Sequence, residues 1–254
     1  YFMEQYVNYH IENQIAHIEF YQEKSNSFPT EQLERMIEVL EELGNNDQVK
    51  VITLRSKGNR VFSAGASFDE LLTIEDFETG KKFFSGFSRV ILAMRACPKF
   101  IVGAITGKVV GGGVGLVSAC DYAIADESAF LRLSELSIGI GPFVIEPAIT
   151  RKIGLNAFAE MTLNPVEWKD PFWAKEKGFF SEVMETEAQC IDRVEEFSEQ
   201  LSKYSLEAMR NLKQVFWKDT EDWPEVMQER AAMSGKLVLS DFTKTTLNKF
   251  KTKA

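Results

Sequence analysis

Apolar positions recur along this chain with two different periods, and the period changes where glycine or proline intervenes. In QIAHIEF (14–20) they alternate, the spacing of a strand with one buried face. TEQLERMIEVLEELG (30–44) puts Leu33, Met36, Ile37, Leu40 and Leu43 on one helical stripe. Pro29 precedes it, Thr30 is the expected N-cap and Gly44 the stop signal. VKVITLRS (49–56) is a β-branched run with little alternation, the pattern of a strand covered on both faces. Strand, helix and strand at this spacing predict a βαβ unit and a parallel sheet.

The pattern then repeats. The loop KGNRVFSAGASFDELL leads into a helical stretch over 77–96 and the strand KFIVGAIT (99–106). A glycine segment and a second helix follow, then the strands DYAIAD (121–126) and AFLRLSE (129–135). No repeat of fixed length accompanies these ββα-like units, so periodicity alone predicts no solenoid. From about residue 190 the chain reads as helical, charged and strand-free, which divides it into a core over 3–190 and a helical segment over 191–254.

Composition narrows the class. The 254 residues are 44% hydrophobic, enough for a full core, and the net charge of −9 without a basic run argues against nucleic acid as partner. No apolar stretch approaches the roughly 20 residues that span a bilayer, and the start lacks a charged segment followed by an apolar one. Tyr1 and Phe2 precede Met3 and are left out of the fold reading. Cys97, Cys120 and Cys190 have no paired spacing, so a reduced, cytoplasmic setting is expected. His10 and His17 are the two histidines, and both read as surface or packing residues. No metal site is expected.

Candidate chemistry lies in two glycine loops. GKVVGGGVGLVSACD (107–121) sets three adjacent glycines between strand and helix, and Gly115 stands one turn further on, where alanine would make a better helix. Bare backbone lets N–H groups approach a ligand oxygen, either a phosphate or a carbonyl becoming an oxyanion. No Lys-Ser/Thr follows, so this is not a Walker A loop, and it is not a GxGxxG fingerprint. FSAGASFDEL (62–71) again sets small residues before a helix start. Both loops have the composition of ordinary turns as well, and on the residues alone these readings stay open.

From NSFPTEQLERMIEVLEELGNNDQVKVITLRSKGNRVFSAGASFDEL through GGGVGLVSACDYAIADESAFLRLSELSIGIGP the chain resembles the crotonase, or enoyl-CoA hydratase/isomerase, superfamily, over roughly residues 12–190. The resemblance implies an α/β fold, a spiral of repeated ββα units with a C-terminal helical segment used in assembly as a homotrimer or dimer of trimers. It also implies acyl-CoA thioester substrates and no separate cofactor, coenzyme A being part of the substrate. Carried over residue by residue, the thioester oxygen is held by the backbone N–H groups of Ala66 and Gly112, which favour an enolate-like transition state over the neutral ground state. Coenzyme A is expected against Lys24, Ser25, Asn26, Ser63, Ala64, Ala66 and Gly112, with Phe250 and Lys253 of the tail near its adenine.

Family hydratases have one glutamate two residues beyond the third glycine and a second before an IG turn. This chain has Gly115 at the first position and Glu135 at the second. Alone, Glu135 reads as a surface carboxylate or a capping residue; the resemblance makes it the catalytic acid or base. GIGPFVIEPAITRKIG (139–154) is similar to the corresponding segment of bacterial methylglutaconyl-CoA hydratase-like members, which act on a branched, carboxylated chain from leucine breakdown. Glu146 in that segment is a candidate second carboxylate, or else a charge favoured at a helix N-terminus. Arg151 and Lys152 are cations near it in sequence. The leading expectation is hydration of a branched 2-enoyl-CoA. The alternatives are double-bond isomerisation by Glu135 alone and a non-catalytic acyl-CoA-binding protein.

Overall fold

The computed structural model describes residues 5–58 and 60–251, the side chains of 250 and 251 excepted. The chain opens with an antiparallel pair, β1 (Tyr6–Glu12) and β2 (Ile15–Tyr21), followed by α1 (Thr30–Gly44) and β3 (Val51–Ser56). Next come β4 (Val61–Ser63), the short α2 (Phe68–Leu71) and α3 (Phe77–Ala96). The second turn of the spiral is β5 (Phe100–Ile105), β6 (Lys108–Val110) and α4 (Gly112–Ser118). The third begins with β7 (Tyr122–Asp126) and β8 (Leu131–Arg132), then a 3₁₀ turn at Glu135–Ile138 and α5 (Glu146–Leu163). After α6 (Pro171–Glu176) and β9 (Glu182–Met184) the chain is helical: α7 (Glu187–Ser202), α8 (Leu206–Phe216), α9 (Trp223–Leu237) and α10 (Asp241–Lys251).

Each turn contributes one strand to each of two sheets. The larger has the order β1-β2-β3-β5-β7-β9 and is parallel from β2 onward; the smaller is parallel with order β4-β6-β8. This is the expected spiral of ββα units, and both faces of the larger sheet are covered. Ala16, Ile18 and Phe20 of β2 face the main core, while Ile15 joins Val51, Val102 and Ile124 beneath Cys190 and Val194 of α7. The alternation in QIAHIEF is therefore real, with apolar residues on both sides. β1 escapes the pattern because it is an edge strand in which Val7 alone is buried.

Two local expectations change. Pro29, not Thr30, occupies the cap position of α1 and offers no side-chain bond. The orphan N–H of Thr30 is met instead by Glu70, whose Oε1 and Oε2 accept from it at 3.0 and 3.1 Å, while Thr30 Oγ1 donates to Oε2 at 2.7 Å. Of AFLRLSE, only Leu131 and Arg132 remain in a strand; Ser134 already has helical angles, and Glu135 begins the 3₁₀ turn.

The C-terminal helices are tied into the same core. Trp217, Trp223 and Met227 pack with residues from the sheet and from α1 and α3. Asp121, at the start of the β7 turn, accepts from Ile101 N at 2.8 Å, Trp217 Nε1 at 3.0 Å and Lys213 Nζ at 2.8 Å. Lys213 also donates to Lys99 O at 2.9 Å, so its buried ammonium makes two hydrogen bonds, one of them to a carboxylate. Removing one member of a buried pair strands the other charge, which is far costlier than never having the pair. Lys213→Ala should lower the unfolding free energy by about 3 kcal/mol in urea denaturation, and a loss under about 1 kcal/mol would contradict this account.

Candidate active site

The first wall of the site is a pairing of two loops. Residues 24–28 run beside 63–67: Ala64 N donates to Ser25 O at 3.0 Å, Phe28 N to Gly65 O at 2.7 Å, and Ser67 N to Phe28 O at 3.0 Å. Ser25 and Asn26 both have left-handed φ, at 57° and 51°. The buried Asn26 side chain holds that bend by donating to Lys57 O at 3.0 Å and Val61 O at 2.9 Å. Ser63 Oγ donates to Asn26 O at 3.0 Å and accepts from Gly65 N at 3.1 Å. Lys24 is exposed and pairs with Asp69.

The second loop, over the N-terminal end of α4, presses directly on the first. A Cβ on Gly65 would stand 2.8 Å from Gly112 N and 2.9 Å from Val110 O, and Gly65 has a φ of 85° besides. Gly111 (φ 55°) lies under the Glu135 carboxylate, where a Cβ would be 3.0 Å from Oε1. Most N–H groups here are spent internally: Ala64, Gly65 and Ser67 as above, and Gly111 on Arg132 O at 3.0 Å. Those of Ala66 and Gly112 have no such partner among the described residues, and both residues line the adjoining cavity.

That cavity, of about 170 Å³, is apolar over most of its wall. Phe83, Phe84 and Phe87 of α3 supply one side, and Ile138, Ile140, Phe143, Val144 and Ile145 another. Glu135 is the one carboxylate among its lining residues, and no Lys, Arg or His is among them. Its Oε2 is buried without a hydrogen-bond partner, and burial pushes the carboxyl up to about 7, only partly opposed by nearby backbone N–H groups.

Gly115 faces a filled space. A Cβ there would come within 2.4 Å of Ile145 Cγ2 and 2.7 Å of its Cβ. The absent side chain therefore makes room for the protein's own isoleucine rather than for a larger acyl group. Glu146 begins α5 beyond Ile145, does not line the cavity, and has Oε2 3.5 Å from Arg230. Arg151 stacks on the Trp217 ring at 4.1 Å, and Lys152 Nζ donates to Cys120 O at 2.7 Å, so neither cation faces the cavity. His10 and His17 stack on each other at 4.7 Å beside β3, outside this cavity. Of the tail residues, the side chain of Phe250 and the whole of Lys253 lie outside the described residues.

Sequence reading brought Ala66, Gly112 and Glu135 to one cavity but missed its walls. The Phe83-Phe84-Phe87 cluster was visible at helical spacing within 77–96; Ser234, a wall residue from α9, had no signal at all.

The family model described as enoyl-CoA hydratase/isomerase matches residues 10–254, and the chain belongs to that family. A probable enoyl-CoA hydratase of Bacillus subtilis is 26% identical over 206 residues, covering 80% of this chain and 78% of that protein. The fatty acid oxidation complex subunit alpha of Idiomarina loihiensis is 37% identical over 119 residues, which is 46% of this chain but spans 16% of that protein. The crystal structure of an enoyl-CoA hydratase from Bacillus halodurans superposes with a TM-score of 0.90 at 22% identity, over 96% of this chain and 99% of that one. The structural likeness shows the crotonase fold; with the family match, the chain is an enzyme of the hydratase or isomerase type.

Because Ile145 fills the space beside Gly115, even the smallest side chain should be felt there. Gly115→Ala should cost about 2 kcal/mol through overpacking, read as a lowered denaturation midpoint. An unchanged midpoint would mean that Ile145 yields without strain.

Proposed function

We propose that this enzyme moves a proton between carbons of an enoyl-CoA thioester, isomerising its double bond, with Glu135 as the single acid-base group. The observation behind this reading is that, among the described residues, one carboxylate and no second one lines an apolar cavity beside two unspent backbone N–H groups. Ala66 N–H and Gly112 N–H receive the thioester oxygen. Glu135 as carboxylate takes a proton from C2 of a 3-enoyl chain, and the electron pair left behind moves toward that oxygen, giving a dienolate. The dienolate collapses as Glu135 returns the proton to C4, leaving the double bond between C2 and C3. The backbone donors favour the charged state over the neutral thioester, an effect of about 3 kcal/mol per donor in comparable sites. A carboxyl with its pKa near 7 suits both halves of the exchange, since it is base and acid at neutral pH. No cofactor beyond the substrate's own coenzyme A enters the scheme. Coenzyme A runs along the paired loops, past Lys24, Ser25, Asn26, Ser63 and Ala64.

Hydration is the second reading, favoured by the likeness to the probable enoyl-CoA hydratase of Bacillus subtilis. It requires Glu135 to direct water and supply the α-proton in turn, because Ile145 occupies the space beside Gly115. For either reaction an uncharged acyl chain fits best: with Arg151 and Lys152 engaged elsewhere, the described residues of the wall include no counter-ion for the carboxylate of a methylglutaconyl group. Assembly into trimers belongs to the same proposal, supported by exposed Leu212, Val215 and Phe216 on α8.

The test is mass analysis of products from 3-enoyl-CoA and 2-enoyl-CoA, with Glu135→Gln beside wild type. An isomeric product of unchanged mass, lost by at least about 10²-fold in Glu135→Gln, supports isomerisation. A product one water heavier selects hydration, and undiminished turnover by the variant overturns both. For the isomerase, kcat/KM should rise with pH and level off above about 7 as Glu135 becomes the base. Stability should move the other way. The folded carboxyl holds its proton up to about 7 whereas the unfolded one releases it near 4.5, so its contribution is full below 4.5 and is lost as pH climbs through 7. The melting temperature of Glu135→Gln, relative to wild type, should therefore rise between pH 5 and pH 8; a constant difference would mean that Glu135 is not desolvated.

A further inference from the structure

Two side-chain polar atoms of the cavity's lining residues are buried without a hydrogen-bond partner. One is Glu135 Oε2; the other is the hydroxyl of Ser234. Ser234 lies on α9 and is 1% exposed. A buried serine in a helix ordinarily turns its hydroxyl back to a carbonyl of the preceding turn. Other buried helical serines do so: Ser88 donates to Ser85 O at 2.8 Å and Ser118 to Gly115 O at 2.6 Å; Ser198 of α7 is buried and unpartnered too, but it lines no part of this cavity. Ser234 does not, so its donor is left idle in a region where an unmade hydrogen bond is costly.

The position of the helix is also tightly set. Gly235 lies against α3, where a Cβ on it would be 2.7 Å from Lys81 N, and a Cβ on Gly80 would be 3.1 Å from Gly235 Cα. This backbone contact sets the residue after Ser234 hard against the helix that contributes Phe83, Phe84 and Phe87. The oxyanion loops and Glu135 come from the strand ends of the spiral, whereas Ser234 is the one lining residue supplied by α9.

We propose that Ser234 is a specificity-determining residue that hydrogen-bonds a neutral oxygen, a hydroxyl or carbonyl, borne by the acyl chain beyond its reacting carbons. A neutral oxygen is the fitting partner because no lysine, arginine or histidine is among the described residues of the wall. The assignment rests on the reading of this cavity as the acyl site. Its energetic logic is asymmetric: an oxygenated chain satisfies the serine, while a plain hydrocarbon chain leaves it buried and unmet.

The experiment compares two saturated acyl-CoA thioesters of six carbons, one plain and one with a hydroxyl at C5, by calorimetric titration, and the corresponding 3-enoyl pair by kcat/KM. Wild type should prefer the oxygenated chain by about tenfold, one hydrogen bond's worth. Ser234→Ala should abolish that preference, chiefly by binding the plain chain better. A preference that survives in Ser234→Ala, or no preference in wild type, overturns the assignment. An equal fall in turnover for both chains would also overturn it, placing Ser234 in the chemistry instead. Because the saturated pair does not react, titration reads the serine even if Glu135→Gln shows the proposed proton transfer to be mistaken. If neither saturated thioester binds, the acyl-site reading itself fails and the assignment falls with it.

Discussion

Everything in the site depends on how closely two stretches of backbone can approach. Gly65 sits so near Gly112 N and Val110 O that any side chain there would separate the loops. The contact sets the loop after β4 against the loop after β6, and the surrounding hydrogen bonds use up the neighbouring donors while leaving those of Ala66 and Gly112 unspent. In the proposed reaction these donors are already oriented before charge develops, so no protein dipole has to be reorganised. Backbone donors are also immune to simple side-chain substitution, so the constraint is written in glycines.

Glu135 works within a second constraint, the dryness of its cavity. Aromatic rings of α3 and the aliphatic run from Ile138 to Ile145 withdraw solvent from its carboxyl, which raises its proton affinity. Ile145 does two things at once: it lines the cavity and it fills the space beside Gly115. Both follow from the tight turn that places α5 against α4. The same dense packing that makes the group chemically useful removes the room for a second acid.

Much of this was legible in the residues. The helix at 77–96 and the parallel strands follow from periodicity, because each has a strong buried face. The spiral, and the roles expected of Ala66, Gly112 and Glu135, came from the resemblance to the crotonase superfamily, since glycine turns and a lone glutamate are too common to be read locally. Glu146 shows the limit. Its place beside the cavity segment suggested a second acid, but orientation at a helix start is decided by tertiary partners, here Arg230. Thr30 was misplaced for a like reason: its cap comes from Glu70, forty positions away in sequence. Ser234 could not be found at all, because a buried serine within an amphipathic helix has the same local pattern whether it faces a neighbour or a cavity.

The order of the site's elements along the chain has a consequence for how the molecule comes into being. The two glycine loops and Glu135 lie in roughly the first half of the chain, but the α9 wall of the cavity belongs to the final portion. Until α9 and the segment after it pack on α3, Phe83 and Phe84 lack part of their apolar cover, a state prone to association during synthesis. A stalled or clipped chain that lacks this portion has Glu135 and the two glycine loops without the α9 wall beside them.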